Sequence, residues 1–406
     1  MTSEVYAGAT DATEKKLTIG QVAGLLPILT VAYGLGFAYL RGAGEIYLIF
    51  ALLPVVVSLT NEDARAVALK TLPLAVFGGL VLVLSFARVM PPAWTVHYET
   101  FVAIRQYSWM IFLPALIVIF YDLFSRHYEF IERNSLALLV FSYIASRFSR
   151  SSDPLMGSDL QLHGFYTFTN ENAICVVLFM IFLFRRRRPL VLDIVLALCG
   201  LALATSAQSQ IVMLSILLVR VFPDLKLTHP LLFIAVAIGY LVAPYYAYDL
   251  HAVDPNTGIR AMFWLDAINA MTQSWGAGVG FGTEYITNVF SGLKHTSWVI
   301  VPEDDPGRLY VGTHSAFFDV GLRTGVIGLA LFSWWFFFAT RPVYGSGAKT
   351  RRLSVCLTIL VVSVSATNMS FASMNFLVGT AMCLALLAFL RARTKDIPSA
   401  GVAPAA

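Results

Sequence analysis

Between Arg260 and Gly328 a cation, an indole, a glycine run and a histidine are gathered in a chain that is otherwise mostly hydrocarbon. His314 stands where a polar stretch gives way to the apolar run Ala316 to Thr340. An imidazole at such a junction can take a proton from an attacking hydroxyl while the adjoining lipid excludes water; its plain alternative is a capping or interfacial histidine. Arg260 and Trp264, four apart, share a helical face on which the guanidinium would stack beside the indole and offer a two-pronged fork to a phosphate, or simply be solvated. Ala261, Leu265 and Ile268 fall on the apolar face of the same helix, for which Asn256 or Thr257 is the expected cap.

Gly276, Gly278, Gly280 and Gly282 follow at every second position. Such a run lets backbone amides approach an anion or a sugar, with Gly280 at its centre, and it equally suits a flexible loop. Arg323 lies a turn or two inside the next apolar run, where a cation is costly enough to suggest a functional role; an i, i+4 ion pair with Asp319 is the alternative. Gly321 and Gly325 read as a surface for close helix contact. Two more polar groups interrupt apolar sequence. The hairpin Thr205 to Gln210, with Gln208 and Gln210, could hydrogen-bond a sugar or be only a tight turn. Asn170 or Asn172, at the start of another span, is either a sugar contact or an N-cap. Glu303, Asp304 and Asp305 read as solvated surface, because no His or Asp spacing nearby completes a metal site. Neither a metal nor a cofactor is expected.

The elements that must position these residues are membrane helices. Of 406 residues 58% are hydrophobic and 13% charged, and apolar runs recur from end to end. The fold expected is all-α and polytopic, with about twelve spans at roughly 19–40, 44–60, 71–88, 108–124, 134–146, 171–184, 189–205, 209–222, 229–246, 315–339, 353–369 and 372–390. This divides the chain into a tail 1–18, spans over 19–246, an outer loop 247–314 carrying the amphipathic helix, spans over 315–391, and a tail 392–406. The first run is expected to be a retained helix, since no small-residue cleavage site follows it. With both termini inside, nineteen of the 28 basic residues fall on the inner side, including Arg185 to Arg188. They read as topology anchors rather than as nucleic-acid contacts. Trp94, Tyr98, Tyr107 and Trp109 read as interfacial aromatics, and the four cysteines, lacking CxxC spacing, as small core residues. No Walker-type phosphate loop is present, so direct use of ATP is not expected.

Four of these pieces, in order, resemble the O-antigen ligase and Wzy-type polysaccharide polymerase superfamily of bacterial envelope glycosyltransferases: Phe168 to Asn172, Thr205 to Gln210, Arg260 to Gly282, and His314 to Gly328. The resemblance implies a metal-independent, inverting transfer from an undecaprenyl-diphosphate-linked glycan to an acceptor glycan or glycolipid. The site would lie at the periplasmic face of the bacterial cytoplasmic membrane, among membrane lipids. It implies His314 as base and Arg260 as the cation that grips the diphosphate. Trp264, Gln208, Gln210, Asn172 and Gly280 are its expected substrate contacts. The chain departs from the family pattern where Gln208 and Gln210 stand in place of an Arg in the hairpin, and where Arg323 stands in place of an acid. One expectation links the two, with Arg323 as a relocated second diphosphate-binding cation. A polymerase is the first reading, a ligase acting on lipid A core the second, and a lipid-linked oligosaccharide transporter the third. A chain-length-regulating partner stays open.

Overall fold

The computed structural model describes residues 61–89, 98, 100–150, 170–185, 190–203, 207–222, 229–283, 312–344, 347–367 and 377–395. The two expected spans before residue 61, Trp94, the centre of the hairpin and the Glu303 to Asp305 group lie outside them, as do the side chains of Asn172 and Gln208. Among the described residues the chain is helical, with one isolated bridge, Tyr98 to Thr283.

The helices are α1 (Glu62–Phe86), α2 (Thr100–Arg133), α3 (Ser135–Arg150), α4 (Asn170–Arg185), α5 (Leu190–Leu203), α6 (Ala207–Val221), α7 (His229–Val242), α8 (Ala247–Val253), α9 (Pro255–Gln273), α10 (Ala316–Ala339), α11 (Ala348–Thr367) and α12 (Leu377–Lys395). Each of the ten expected spans after residue 61 falls on a helix. By length and composition five stretches among the described residues can cross a membrane: Glu62–Phe86, Val102–Arg133, His229–Val253, Ala316–Ala339 and Ala348–Thr367. The chain is therefore a multi-pass membrane protein, as its apolar runs require. A single 3-10 turn, Ala243–Tyr246, joins α7 to α8, so helix continues to Val253, past the expected start of the outer loop at 247.

Helix α2 is the axis of the bundle, packed along α1 on one side and α12 on the other. Phe120, Phe124, Met110 and Leu113 on α2 are almost fully buried. Trp109, expected at an interface, is instead buried against Phe332 of α10, with ring centroids 6.2 Å apart at 85°. Tyr107 donates its hydroxyl to the Ala75 carbonyl of α1 at 3.0 Å. Cys175, Cys356 and Cys383 are buried as expected, whereas Cys199 is exposed.

The basic residues at one end of the bundle find partners. Arg126 pairs with the buried Asp122 at 2.9 Å, Arg220 of α6 with the buried Asp193 of α5, and Lys349 with Glu132. Arg391 of α12 donates to the carbonyls of Phe338 and Ala339, capping the C-terminus of α10, where the helix dipole favours a cation.

Helix α10 is broken, and the break builds the site. Gly325 sits at φ 70° and ψ −170°. An uninterrupted helix would bond the Val326 amide to the Leu322 carbonyl; here the Val326 amide donates to the Gly276 carbonyl at 2.9 Å. The freed carbonyls of Leu322 and Arg323 accept from the amides of Val279 (2.8 Å) and Gly280 (3.2 Å). Each backbone group lost by the helix is thus regained from the glycine run, which lies along the break like a short strand. The sequence reads 315–339 as one continuous span and Gly325 as a helix contact. In the structure Gly321 faces Met271 of α9, while Gly325 meets the backbone of Gly276 and Ala277.

Candidate functional site

Helix α9 begins at Pro255, earlier than the start near Arg260 that the sequence suggests. Pro255 takes the first position, and the Asp254 carboxylate accepts from the amide and hydroxyl of Thr257, so Asp254 rather than Asn256 or Thr257 is the cap. One face of α9 then carries Arg260, Phe263 and Trp264, at i, i+3 and i+4. Each meets the stretch 312–315, which precedes α10, in a different way.

Trp264 is 8% exposed; its ring lies parallel to Phe318 of α10 (5.6 Å, 19°) and edge-on to Tyr240 of α7 (5.1 Å, 81°). Its indole N–H donates to the Thr313 carbonyl at 2.8 Å. The expected stacking partner of Arg260 and substrate contact is therefore a buried brace, because an apolar pocket between α7 and α10 accepts the ring and a carbonyl satisfies its one donor. Trp264→Phe keeps the ring and strands that carbonyl. It is expected to lower stability by about 1–3 kcal/mol, measured as the thermal midpoint in detergent.

His314 adopts φ 57°, a left-handed backbone unusual for a side chain other than Gly, Asn or Asp. Both neighbours hold it there. Thr313 gives its amide (2.7 Å) and hydroxyl (2.8 Å) to Asp319 Oδ1. Ser315 donates its hydroxyl to Tyr240 at 2.7 Å, and Tyr240 in turn donates to the Ala366 carbonyl of α11 at 2.8 Å. The Ser315 oxygen also accepts from the Phe318 amide and caps α10. The imidazole lies flat on Phe263 (5.7 Å, 18°), and its Nδ1 is buried with no hydrogen-bond partner among the described residues.

Burial pushes the His314 pKa down to about 4, and the nearby Arg260 charge adds to the shift. Burial also lowers Arg260, which the Asp254 carboxylate partly offsets, and the guanidinium stays cationic. Arg260 and His314, from separate segments, thus lie near enough for the guanidinium charge to act on the imidazole that stacks on Phe263.

The glycine run does other work than expected. Gly276, Gly278, Gly280 and Gly282 all have φ between 77° and 80°. The Gly278 amide donates to Ser274 Oγ (3.1 Å), the Phe281 amide to Ser85 Oγ of α1 (2.9 Å) and the Gly282 amide to Gln106 Oε1 of α2 (2.8 Å). With Val279 and Gly280 bonded to α10, every amide from Gly278 to Gly282 has a protein acceptor. The run, Gly280 included, is a strap and not an anion cradle.

Arg323 is corrected in the same way. It is 7% exposed, and its Nη1 donates to the carbonyl of Thr283 (2.6 Å), the carbonyl of Gly280 (3.2 Å) and the hydroxyl of Thr283 (3.3 Å). A guanidinium fixed on the end of the strap is no second diphosphate clamp. Nor does it form the expected direct pair with Asp319, whose Oδ1 is bonded to Thr313 and whose Oδ2 has no hydrogen bond among the described residues. Gln210 is exposed on α6. Phe263, Tyr240, Asp319, Ser85 and Gln106 were not singled out as parts of the site by the sequence. Tyr240 and Ser85, isolated polar groups in apolar spans, carried the only signal for such support.

Residues 167–333 match the model of a protein family described as O-antigen ligase. No curated protein and no solved structure matches the chain. The matched segment runs from just before α4 to within α10, so it contains Arg260, His314 and the strap, whereas Ser85 and Gln106, which anchor the strap, precede it. Activity of the ligase or polymerase type, on lipid-linked glycans, is what this segment supports. Among the described residues no group of His, Cys, Asp and Glu is arranged to hold a metal ion.

Proposed function

We propose that this protein is a glycosyltransferase at the outer face of the bacterial cytoplasmic membrane, moving a glycan from undecaprenyl diphosphate to an acceptor hydroxyl. The observation that carries the reading is the proximity of the Arg260 charge to a His314 Nδ1 that has no partner among the described residues, in a half-buried site next to the first turn of α10. In the transfer, the acceptor oxygen bonds to the anomeric carbon as the bond from that carbon to the diphosphate oxygen breaks. The hydroxyl proton passes to His314, and the electron pair leaves on the diphosphate, where Arg260 meets the growing charge. Attack from the face opposite the leaving group inverts the anomeric centre. The leaving group is already charge-stabilised, so the chemistry asks for a cation and a base and for no nucleotide.

The acceptor separates two readings. The hairpin without Arg favours a second lipid-linked glycan, and so a polymerase; the family match favours a ligase with a glycolipid core as acceptor. Purified protein supplied only with lipid-diphosphate saccharide in detergent is expected to release undecaprenyl diphosphate and to lengthen the glycan. Product only after adding lipid A core would identify the ligase. No product with either acceptor, together with donor movement across vesicles, would support a transporter instead.

A further inference from the structure

Helix α10 carries two opposite charges one turn apart, Asp319 and Arg323, both nearly inaccessible. Acid and base at i, i+4 ordinarily pair with each other, at a separation of about 6 Å along the helix. Here each reaches outward to backbone. Arg323 Nη1 holds the carbonyls of Gly280 and Thr283, and Asp319 Oδ1 holds the amide and hydroxyl of Thr313. Thr283 and Thr313 flank residues 284–311, the later part of the outer loop. The stretch at 283 reaches α10 through the strap, and the stretch at 313 runs directly into it.

We propose that Asp319 and Arg323 form a two-armed clamp which fixes the two chain segments flanking residues 284–311 against α10 and thereby positions His314 beside Arg260. The inference rests on the transfer reading above, since it assigns His314 its task. Three arguments carry it. The left-handed backbone at His314 needs an external hold, and Thr313, one residue away, donates two hydrogen bonds to the Asp319 arm and accepts one from Trp264. The other arm ends on Thr283, whose hydroxyl also donates to the carbonyls of Val279 and Gly280, so Arg323 locks a turn that α10 already pairs with. Finally, two buried charges compensate each other through space while their hydrogen-bonding groups hold two separate chain segments, an arrangement that an apolar pair could not reproduce. Asp319 and Arg323 are positioning residues: they touch the backbone on either side of the loop and act on the reaction through His314.

The test compares Asp319→Ala and Arg323→Met with their conservative counterparts, Asp319→Asn and Arg323→Lys, in full-length protein in detergent. The Ala and Met variants are expected to lower kcat by about 10- to 100-fold, the penalty for misplacing a catalytic group by roughly an ångström, with donor KM within about twofold of wild type. Asn keeps an acceptor for Thr313 and Lys keeps a donor for Thr283, so each is expected to recover about tenfold of that loss. A rise in donor KM with kcat preserved in Arg323→Met would overturn the clamp and restore Arg323 as a diphosphate ligand. Equal losses in the conservative variants would also overturn it, because a role in folding alone would not distinguish them by hydrogen-bonding capacity. Amide exchange separates this failure from failure of the transfer reading. If the wild type shows no transfer, faster exchange in segments 278–283 and 312–318 of the Ala and Met variants still supports the clamp, and unchanged exchange refutes it.

Discussion

Replacing His314 with alanine is expected to lower kcat by about 10²- to 10⁴-fold, the range of a positioned general base, while donor binding holds. The expectation follows from geometry. Phe263 stacks on the ring, Asp319 and Tyr240 hold the residues on either side, and Nδ1 has no partner among the described residues in a site that also holds a cation. The pH dependence has a definite sign. A histidine with its pKa depressed to about 4 is neutral, and able to accept a proton, throughout the range above that value, and loses this ability as pH falls through about 4. In kcat/KM, which reports the free enzyme, the acid limb is therefore expected near pH 4 rather than near the ordinary histidine value. A diphosphate seated on Arg260 cancels the nearer charge and makes the imidazole more basic. The acid limb of kcat should accordingly lie at higher pH than that of kcat/KM. Initial rates across pH 3.5–8 (roughly the span on either side of the depressed and ordinary values) check both limbs, and coincident limbs near 6.5 would remove the buried base.

Gly278→Ala is expected to dismantle the site from a position with no side chain at all. An added Cβ would lie 2.6 Å from the Gly325 nitrogen and 2.9 Å from the Leu322 carbonyl oxygen, both backbone atoms that cannot turn aside, and φ is already +80°. Left-handed backbone costs about 1–2 kcal/mol for an ordinary residue, and separating the strap from α10 forfeits the bonds at Val279, Gly280 and Val326. A loss of about 3 kcal/mol or more is expected, with transfer activity falling together with the thermal midpoint. Gly276→Ala is the internal comparison. It has a similar φ, but its Cβ would meet only the Val326 side chain, at 3.4 and 3.5 Å. Only the conformational cost of about 1–2 kcal/mol applies there. Equal midpoints for the two variants would show that the close approach of strap to helix is not what holds the site.

How much of this was legible in the residues differs by element. The helices were readable because lipid leaves a spanning chain little choice: Leu190 to Leu203 and His229 to Val242 announce themselves by composition alone. Arg260 and His314 were legible because polar groups at the border of an apolar run are expensive. Their convergence is an expectation from the family resemblance; in the structure Phe263 stacks on His314 and the Arg260 charge helps to lower its pKa. The roles of Trp264, Gly280 and Arg323 were misread for one common reason. A local pattern states which groups a residue can bond but not which partner reaches it first. In each case that partner was distant backbone: Thr313 for Trp264, the freed carbonyl of Arg323 for Gly280, and the carbonyls of Gly280 and Thr283 for Arg323. The break at Gly325 was hidden because a glycine in an apolar run reads equally as a helix contact and as a kink.

The account turns on Arg260 and His314 sharing one site, and the titration of the His314 imidazole, followed by NMR on histidine-labelled protein in detergent, tests this most directly. The wild type should titrate near pH 4, Arg260→Gln should move that midpoint upward, and undecaprenyl diphosphate should raise it in the wild type but scarcely in Arg260→Gln. A His314 that titrates at its ordinary value, or that responds neither to the loss of Arg260 nor to the lipid diphosphate, would contradict the shared site.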